Sequence, residues 1–337
     1  MTKMIDVAKL AGVSTATVSR VLSGNPNVKE SLKIKVLEAI NQLDYKPNKL
    51  ASSLRKMESR TIVVVVPDIS NPFFSDIILG IKKVAHCNGY YVLLGDTQND
   101  VENEIAYTNL IQERLADGVI LLTARMPKHK IQELAHSIPV VLSCEYIDGI
   151  DISTVTIDNI SSSRKVVDHL VQMGHSRIGI ITGPLNIVLS RDRLKGYRQS
   201  LYQNEIEPEE SLVQEGDFSM ESGYQMCLRL LSLNQPPTAI FASNDEMAIG
   251  TIKAIKHKGL RVPEDVAVVG FDNVKLSTIV DPELSTVSQP KMEIGRKSME
   301  LLLKEIRNEP IEKRQIVLHD ELIIRESCGS LTKSLSI

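Results

Sequence analysis

The 337-residue chain contains no tryptophan, only five phenylalanines and only four cysteines, and Cys87, Cys144, Cys227 and Cys328 form no CxxC pair. Such spacing argues against a zinc or redox centre and for reduced structural thiols. The longest apolar runs, such as Ile62–Val66 and Val119–Leu122, fall far short of the roughly 20 residues a membrane span needs. Met1–Thr2–Lys3 opens the chain without the apolar core of a secretion signal. A cytoplasmic protein with no membrane partner is therefore expected. Enzyme signatures are also missing. There is no GxxxxGK[ST], no GxGxxG after the first strand, no HExxH and no GxSxG, and the histidines are scattered. No catalytic residue, cofactor or metal ligand is expected.

What is present is an uneven charge. The first 60 residues hold eleven Lys/Arg against five Asp/Glu, a net +6, which leaves −9 for the remainder of a chain whose total is −3. A basic head on an acidic body suits a polyanionic partner. Residues 1–45 read as three short helices. The first runs from Ile5 to Ala11 and stops at Gly12. Ser14 can cap the next, Thr15 to Leu22, by accepting a backbone N–H bond. The third carries Leu32, Val36, Ala39, Ile40 and Leu43 on one face. Two helices joined at a tight glycine turn and braced by a third form a helix-turn-helix. Asp44–Tyr45–Lys46–Pro47–Asn48 then breaks the pattern. The segment Lys49–Met57 places Leu50 and Leu54 one turn apart among small and basic residues. It is too short to be stable alone and reads as a linker that folds when held.

From Thr61 onward, short β-branched runs alternate with helical stretches: Thr61–Val66, Tyr91–Leu94, Gly118–Leu122, Val140–Ser143, Val155–Ile157, Ile178–Thr182, Ala239–Ala242 and Val266–Gly270. Runs apolar on both faces, separated by helices, indicate parallel sheets covered on two sides. Their number exceeds one ordinary sheet, so an α/β body of two doubly wound subdomains is expected. The expected division is a helix-turn-helix DNA-binding head at 1–46, a linker at 47–59 and an α/β body at 60–337. Within the last, a first subdomain covers about 60–160 plus 291–325 and a second about 161–288. The helical stretch Lys291–Arg307 returns to the first.

Several motifs resemble the LacI/GalR family of bacterial repressors. They are Ile5–Asp6–Val7–Ala8, Ala11–Gly12–Val13–Ser14, Thr17–Val18–Ser19–Arg20–Val21–Leu22, Tyr45–Lys46–Pro47–Asn48 and Ala51–Ser52–Ser53–Leu54 in the head and hinge. In the body they are Asn71–Pro72–Phe73–Phe74, Gly174–His175–Ser176–Arg177–Ile178, Arg193–Leu194–Lys195–Gly196–Tyr197, Ser243–Asn244–Asp245 and Gly270–Phe271–Asp272–Asn273. The resemblance covers nearly the whole chain in the family's order. It implies a sequence-specific repressor with a type I periplasmic-binding-protein-like body, binding a pseudo-palindromic double-stranded DNA operator as a homodimer.

The resemblance assigns base contacts to Thr15, Ala16 and Arg20, one helical turn apart and opposite Val18 and Leu22. Arg20 can bond guanine O6 and N7, and Ala16 can touch a thymine methyl. Ser14, Thr17 and Ser19 suit phosphates, which fix register. In the family, a leucine at the position of Leu54 wedges between base pairs from the minor groove. The hinges of a dimer would meet at Leu50 and Ala51, with Arg55 and Lys56 on phosphates or, for Arg55, inside the groove.

A ligand site follows partly from the strand pattern alone. Open α/β sheets bind ligands beyond the carboxyl ends of their strands. There lie Ser70 to Phe74, Asn244, Asp245, Asp272 and, further on, Arg193. Arg193 and Asp272 suit a polyhydroxylated ligand, and Phe73, Phe74 and Phe218 offer flat faces. Asp272 could instead cap a turn, Phe73 or Phe74 could be core, and Arg193 could sit on a helix surface. The resemblance places effector contacts at Phe74, Arg193, Phe218, Asn244, Asp272 and Gln289. Segments such as Ser59–Arg60–Thr61–Ile62, Gly89–Tyr90 and Glu321–Leu322–Ile323–Ile324–Arg325 are most similar to the cytidine-responsive branch. Ile187, Val188 and Leu189 depart from the purine-responsive branch and argue against a purine co-repressor. A nucleoside or a sugar is expected, with a sugar phosphate as an alternative. The tail after Cys328 is too short for a heptad bundle, so a dimer is expected. Rival classes are a solute-binding protein of the transport type and an α/β sugar enzyme. Neither explains the basic helical head.

Overall fold

The computed structural model describes residues 2–22, 25–45, 59–111 and 116–329. The hinge residues Leu50, Ala51, Leu54, Arg55 and Lys56 lie outside the described residues. The chain divides into two units, Met1–Arg60 and Thr61–Ile337.

In the first unit, α1 (Met4–Ala11), α2 (Thr15–Leu22) and α3 (Glu30–Gln42) enclose a small core. Gly12 ends α1 at φ +66°, with its N–H donating to the carbonyls of Ala8 and Lys9. A Cβ would disfavour that left-handed backbone, so glycine permits the sharp turn. Ser14 begins α2 two residues later, and its Oγ accepts from the Thr17 N–H at 3.1 Å. The cap is the one the sequence proposes. Val7, Val18, Val21, Val36 and Tyr45 fill the core. Within α2 the fully buried pair is Val18 and Val21, and Leu22 is only partly buried. That corrects the expected inner face by one residue.

The second unit begins with β1 (Thr61–Val66), α4 (Phe73–Cys87), β2 (Tyr91–Asp96), α5 (Val101–Leu110), β3 (Gly118–Leu121), α6 (Lys128–Ser137), β4 (Val140–Ser143) and β5 (Ser153–Ile157). It continues with α7 (Asn159–Gln172), β6 (Ile178–Thr182), α8 (Val188–Gln203), β7 (Val213–Glu215), α9 (Met220–Leu231), β8 (Ala239–Ala242), α10 (Asp245–His257), β9 (Ala267–Phe271) and β10 (Ser285–Ser288). It closes with α11 (Lys291–Ile306), β11 (Gln315–Leu318) and β12 (Glu321–Ile323). Two six-stranded sheets result, ordered β2-β1-β3-β4-β5-β11 and β7-β6-β8-β9-β10-β12. All pairings are parallel except β10 with β12. Strands β1, β3, β4, β5, β6, β8 and β9 are buried along almost their whole length, as layered parallel sheets require. Among the described residues no helix is long and apolar enough to cross a membrane.

Three crossovers join the lobes: after β5, after β10 and after β11. Helix α11 packs on α4 and on strands of the first sheet, as the sequence anticipates. The return to the second lobe comes at Glu321, because β12 pairs with β10. The expected first-lobe segment 291–325 therefore stops near Leu318. Asp320 marks the crossing, where its carboxylate accepts from Lys165 at 3.0 Å and from Ser162, both on α7.

Candidate functional site

Each sheet reverses strand order beside its first strand, and the loops after those strands face each other across a crevice of about 490 Å3. Its walls follow strand ends: Asp68 after β1, Asn99 after β2, Arg125 after β3 and Cys144 after β4. From the second lobe come Pro184 after β6, Phe218 after β7, Asn244 after β8, Asp272 after β9 and Gln289 after β10. This is the position at which doubly wound sheets bind ligands. Four wall residues hold a positive φ without being glycine: Asn99 at +59°, Cys144 at +71°, Phe218 at +72° and Asp272 at +111°. Such conformations cost free energy and gather at functional sites.

The structure brings together Phe73, Phe74, Arg193, Phe218, Asn244, Asp272 and Gln289, all proposed from sequence. Asp272 is 6% exposed. Its Oδ1 accepts from Gln289 Nε2 at 2.7 Å. Its Oδ2 has no partner among the described residues, so one carboxylate oxygen is open to a ligand. Burial pushes the Asp272 carboxyl up to about 6, against the pull of Arg193. Arg193 is 4% exposed, which removes the helix-surface alternative. Its Nε donates to Asn159 Oδ1 at 2.9 Å and its Nη1 to the Ser243 carbonyl. The guanidinium lies 3.7 Å from the Phe271 ring centroid. Burial lowers it to about 10, so it stays charged at neutral pH. Nη2 is left for a ligand acceptor.

Asn244 is mostly occupied. Its Oδ1 caps α10 at the Met247 N–H, and its Nδ2 donates to the Phe218 carbonyl, both at 2.9 Å. Holding the Phe218 loop is its visible task, with one amide N–H to spare. Asp245 does not reach the crevice wall. It is 1% exposed and ties Val274 N–H and Thr286 Oγ1 behind Asp272.

The phenylalanines divide their roles. Phe73 and Phe74 are nearly buried and pack edge-on at 5.1 Å, so they serve both the core and the wall. Phe218 lies against Gly183, where an added Cβ would come within 2.0 Å of its Cζ. Only glycine admits the ring there. Gly183→Ala is expected to displace Phe218 and weaken ligand affinity about tenfold, through loss of one aromatic contact worth ~1.5 kcal/mol. Calorimetric titration of the variant checks this.

Sequence reasoning missed most of the first-lobe wall: Pro67, Asp68, Asn99, Thr123, Arg125 and Cys144. The signal was available, since each follows a recognised strand. Behind Arg125 lie two buried carboxylates. Glu145 accepts from the Ala124 N–H and meets Arg125 Nη1 at 3.4 Å. Glu104 accepts from the N–H groups of Arg125 and Met126 at 2.7 and 3.0 Å. Burial pushes Glu145 up to about 7 and raises Glu104. Beside the crevice, Tyr146 of the first lobe donates to Asp192 of the second at 3.0 Å.

In the separate head unit, α2 presents Thr15, Ala16 and Arg20 as exposed side chains, with Ser14 exposed and Thr17 and Ser19 half-buried. Ser14 Oγ and Thr17 Oγ1 are 3.0 Å apart. One hydroxyl donates to the other, which leaves one O–H directed elsewhere. The face combines the helix N-terminus, hydroxyls and an arginine, which suits a phosphate backbone and base edges.

Residues 3–48 match the family described as bacterial regulatory proteins, lacI family, and residues 167–328 match the periplasmic binding protein-like domain. The chain is 40% identical over 329 residues to the HTH-type transcriptional repressor CytR of Escherichia coli (strain K12), with 97% of this chain and 96% of that protein covered. Among solved structures it is similar to the lac repressor dimer bound to operator and the anti-inducer ONPF, at TM-score 0.87 and 30% identity over 97% of this chain and 99% of that one. A transcriptional regulator CelR–cellobiose complex matches at TM-score 0.75 and 31% identity, covering 97% of this chain and 100% of that one.

Proposed function

The chain belongs to the lacI family of bacterial regulatory proteins, and on that premise we propose that it is a repressor whose grip on an operator is set by a nucleoside or sugar in the crevice. One observation carries the reading. A single chain joins a helix-turn-helix head with Thr15, Ala16 and Arg20 exposed on α2 to a two-lobed body whose strand ends line a cavity.

In the head, Arg20 reads a guanine, Thr15 and Ala16 touch neighbouring base edges, and Ser14, Thr17 and Ser19 hold phosphates. Residues 47–59 act as the hinge, with Leu54 wedged into the minor groove and Ala51 and Arg55 beside it. The body, from residue 60 on, binds effector and pairs with a second copy. Leu79, Leu93 and Leu94 of the first lobe and Leu276 and Ile279 of the second are large, apolar and at least 40% exposed. They supply material for a two-fold interface, and a dimer matches the symmetry of a pseudo-palindromic operator. The effector's hydroxyls bond Asp272 Oδ2 and Arg193 Nη2, and its flat part lies against Phe218 and Phe74. Occupancy changes the angle between the lobes, moves the hinge attachment points apart and releases DNA. The ligand must bind one lobe arrangement better than the other, since equal affinity shifts nothing.

The Asp272 carboxyl, near 6, gives this reading a pH signature. A carboxylate accepting from two hydroxyls must be ionised, so ligand affinity is expected to fall about tenfold from pH 7 to pH 5. Because the folded value lies above the unfolded one, protonating Asp272 stabilises the fold as pH drops from 6 toward 4. Lost affinity therefore does not report Asp272-driven unfolding. Calorimetry at the two pH values checks the slope. The function itself is tested by gel shift on duplexes selected by the protein from a randomised pool, repeated with nucleosides and sugars added.

A further inference from the structure

Arg125 stands on the first-lobe wall with its guanidinium only partly used. Nη1 points to the Ala124 carbonyl and to Glu145 Oε2, each at 3.4 Å. Nε and Nη2 have no partner among the described residues, and the side chain keeps 13% exposure. These two nitrogens form the side-on edge of the guanidinium, the geometry that receives two acceptors at once. A purely structural arginine would spend those donors on the protein. Thr123, two residues earlier on the same wall, has a buried hydroxyl that is also without a partner.

The charge around that edge decides what it accepts. Glu145 meets Nη1 from behind at 3.4 Å and, with its carboxyl near 7, offsets part of the guanidinium charge at neutral pH, while Glu104 lies beside it on the Arg125 backbone N–H. The rest of the lining carries Asp68, Asp217, Glu246 and Asp272 against Arg193. A phosphate monoester brings about −1.5 to −2 charges at pH 7 into a wall already rich in carboxylates. A ring carbonyl with a neighbouring ring nitrogen, or a pair of adjacent hydroxyl oxygens, brings none.

We propose that Arg125 is a specificity residue of the crevice: its open N–H edge receives an uncharged acceptor of the effector, and the carboxylates behind it exclude the corresponding phosphate ester. The proposal rests on the crevice being the effector site.

The test is isothermal titration of the full chain with cytidine, ribose and glucose and with cytidine 5′-monophosphate, ribose 5-phosphate and glucose 6-phosphate. For the parent compound that binds best, the phosphate ester is expected to bind at least about 30-fold more weakly. Glu145→Gln is expected to narrow that gap about fivefold or more, because it unmasks the guanidinium charge. Arg125→Gln is expected to weaken the parent about tenfold or more, and Arg125→Lys not to restore it, since lysine lacks the planar edge. A phosphate ester bound as tightly as its parent by the wild type overturns the proposal without recourse to any variant. Unchanged affinity in Arg125→Gln, alongside loss in Asp272→Ala, also overturns it and leaves the crevice reading intact. Unchanged affinity in both variants, or no binding of any of the six compounds, overturns the crevice reading as well.

Discussion

Arg20→Ala is expected to lower operator affinity about 30-fold to 10,000-fold. A bidentate arginine–guanine pair is worth ~1–3 kcal/mol of discrimination. A dimer loses two of them, or about 2–6 kcal/mol, at 1.4 kcal/mol per tenfold. The loss is selective. Affinity for unrelated duplex DNA, which comes from phosphate contacts, changes by only a few-fold. Arg20→Lys does not restore the operator, because lysine is a point charge without a fork. Anisotropy titration at one fixed salt concentration, on operator and on scrambled duplex, measures both. Folding is not at risk, since Arg20 is exposed and the α2 core rests on Val18 and Val21. The same titration on Leu54→Ala addresses the proposed wedge. An operator complex that stays as tight and as bent without that side chain would remove the hinge from the mechanism.

The second large effect belongs to Asp272. Asp272→Ala is expected to weaken effector binding about 100-fold to 10,000-fold, because hydrogen bonds to a charged partner are worth about 1.5–3 kcal/mol each and the open carboxylate edge takes two, about 3–6 kcal/mol together. The structure adds a second reason. Arg193 is buried, and Asp272 heads the charges that favour its ionised form. Without that carboxylate the guanidinium loses its main counter-charge in a dry wall. Asp272→Asn separates the two causes, since it preserves shape and allows a bond to Gln289 while discarding the charge. The variants are expected to form an operator complex that added ligand no longer dissolves. Titrating ligand into preformed operator complex reads this directly.

The legible parts of this fold were those where one interaction dominates locally. Helix α2 runs from Thr15 to Leu22 as read, because Gly12 and Ser14 mark its start, although its inner face is Val18 and Val21 rather than Val18 and Leu22. The central strands were visible because burial on both faces selects short apolar runs, many of them rich in β-branched residues. Strands β7, β10, β11 and β12 escaped notice. Three of the four residues in Ser285–Ser288 are polar, and Gln315–Leu318 and Glu321–Ile323 are short and partly exposed, so their hydrophobic signal is weak. The lobe boundary near Asp320 was missed for the same reason: it is defined by a strand pairing and an ion pair across distant sequence. In the crevice, second-lobe residues such as Arg193 and Asp272 belong to motifs and were found. Arg125, Thr123 and Cys144 sit in no motif, and only knowing which strand ends face each other brings them into view. The converse holds for Asn244, whose sequence position suggests a ligand contact but whose bonds go mainly to the cap of α10 and to Phe218.

In the proposed mechanism the crevice is coupled to the DNA. The most direct measurement is operator affinity of the full chain, at fixed salt and pH 7, with and without a saturating amount of whichever nucleoside or sugar calorimetry shows to bind. A change of about 5-fold to 150-fold is expected, toward weaker binding, and absent in Asp272→Asn. Identical affinity in the two conditions, with the ligand demonstrably bound, would contradict it.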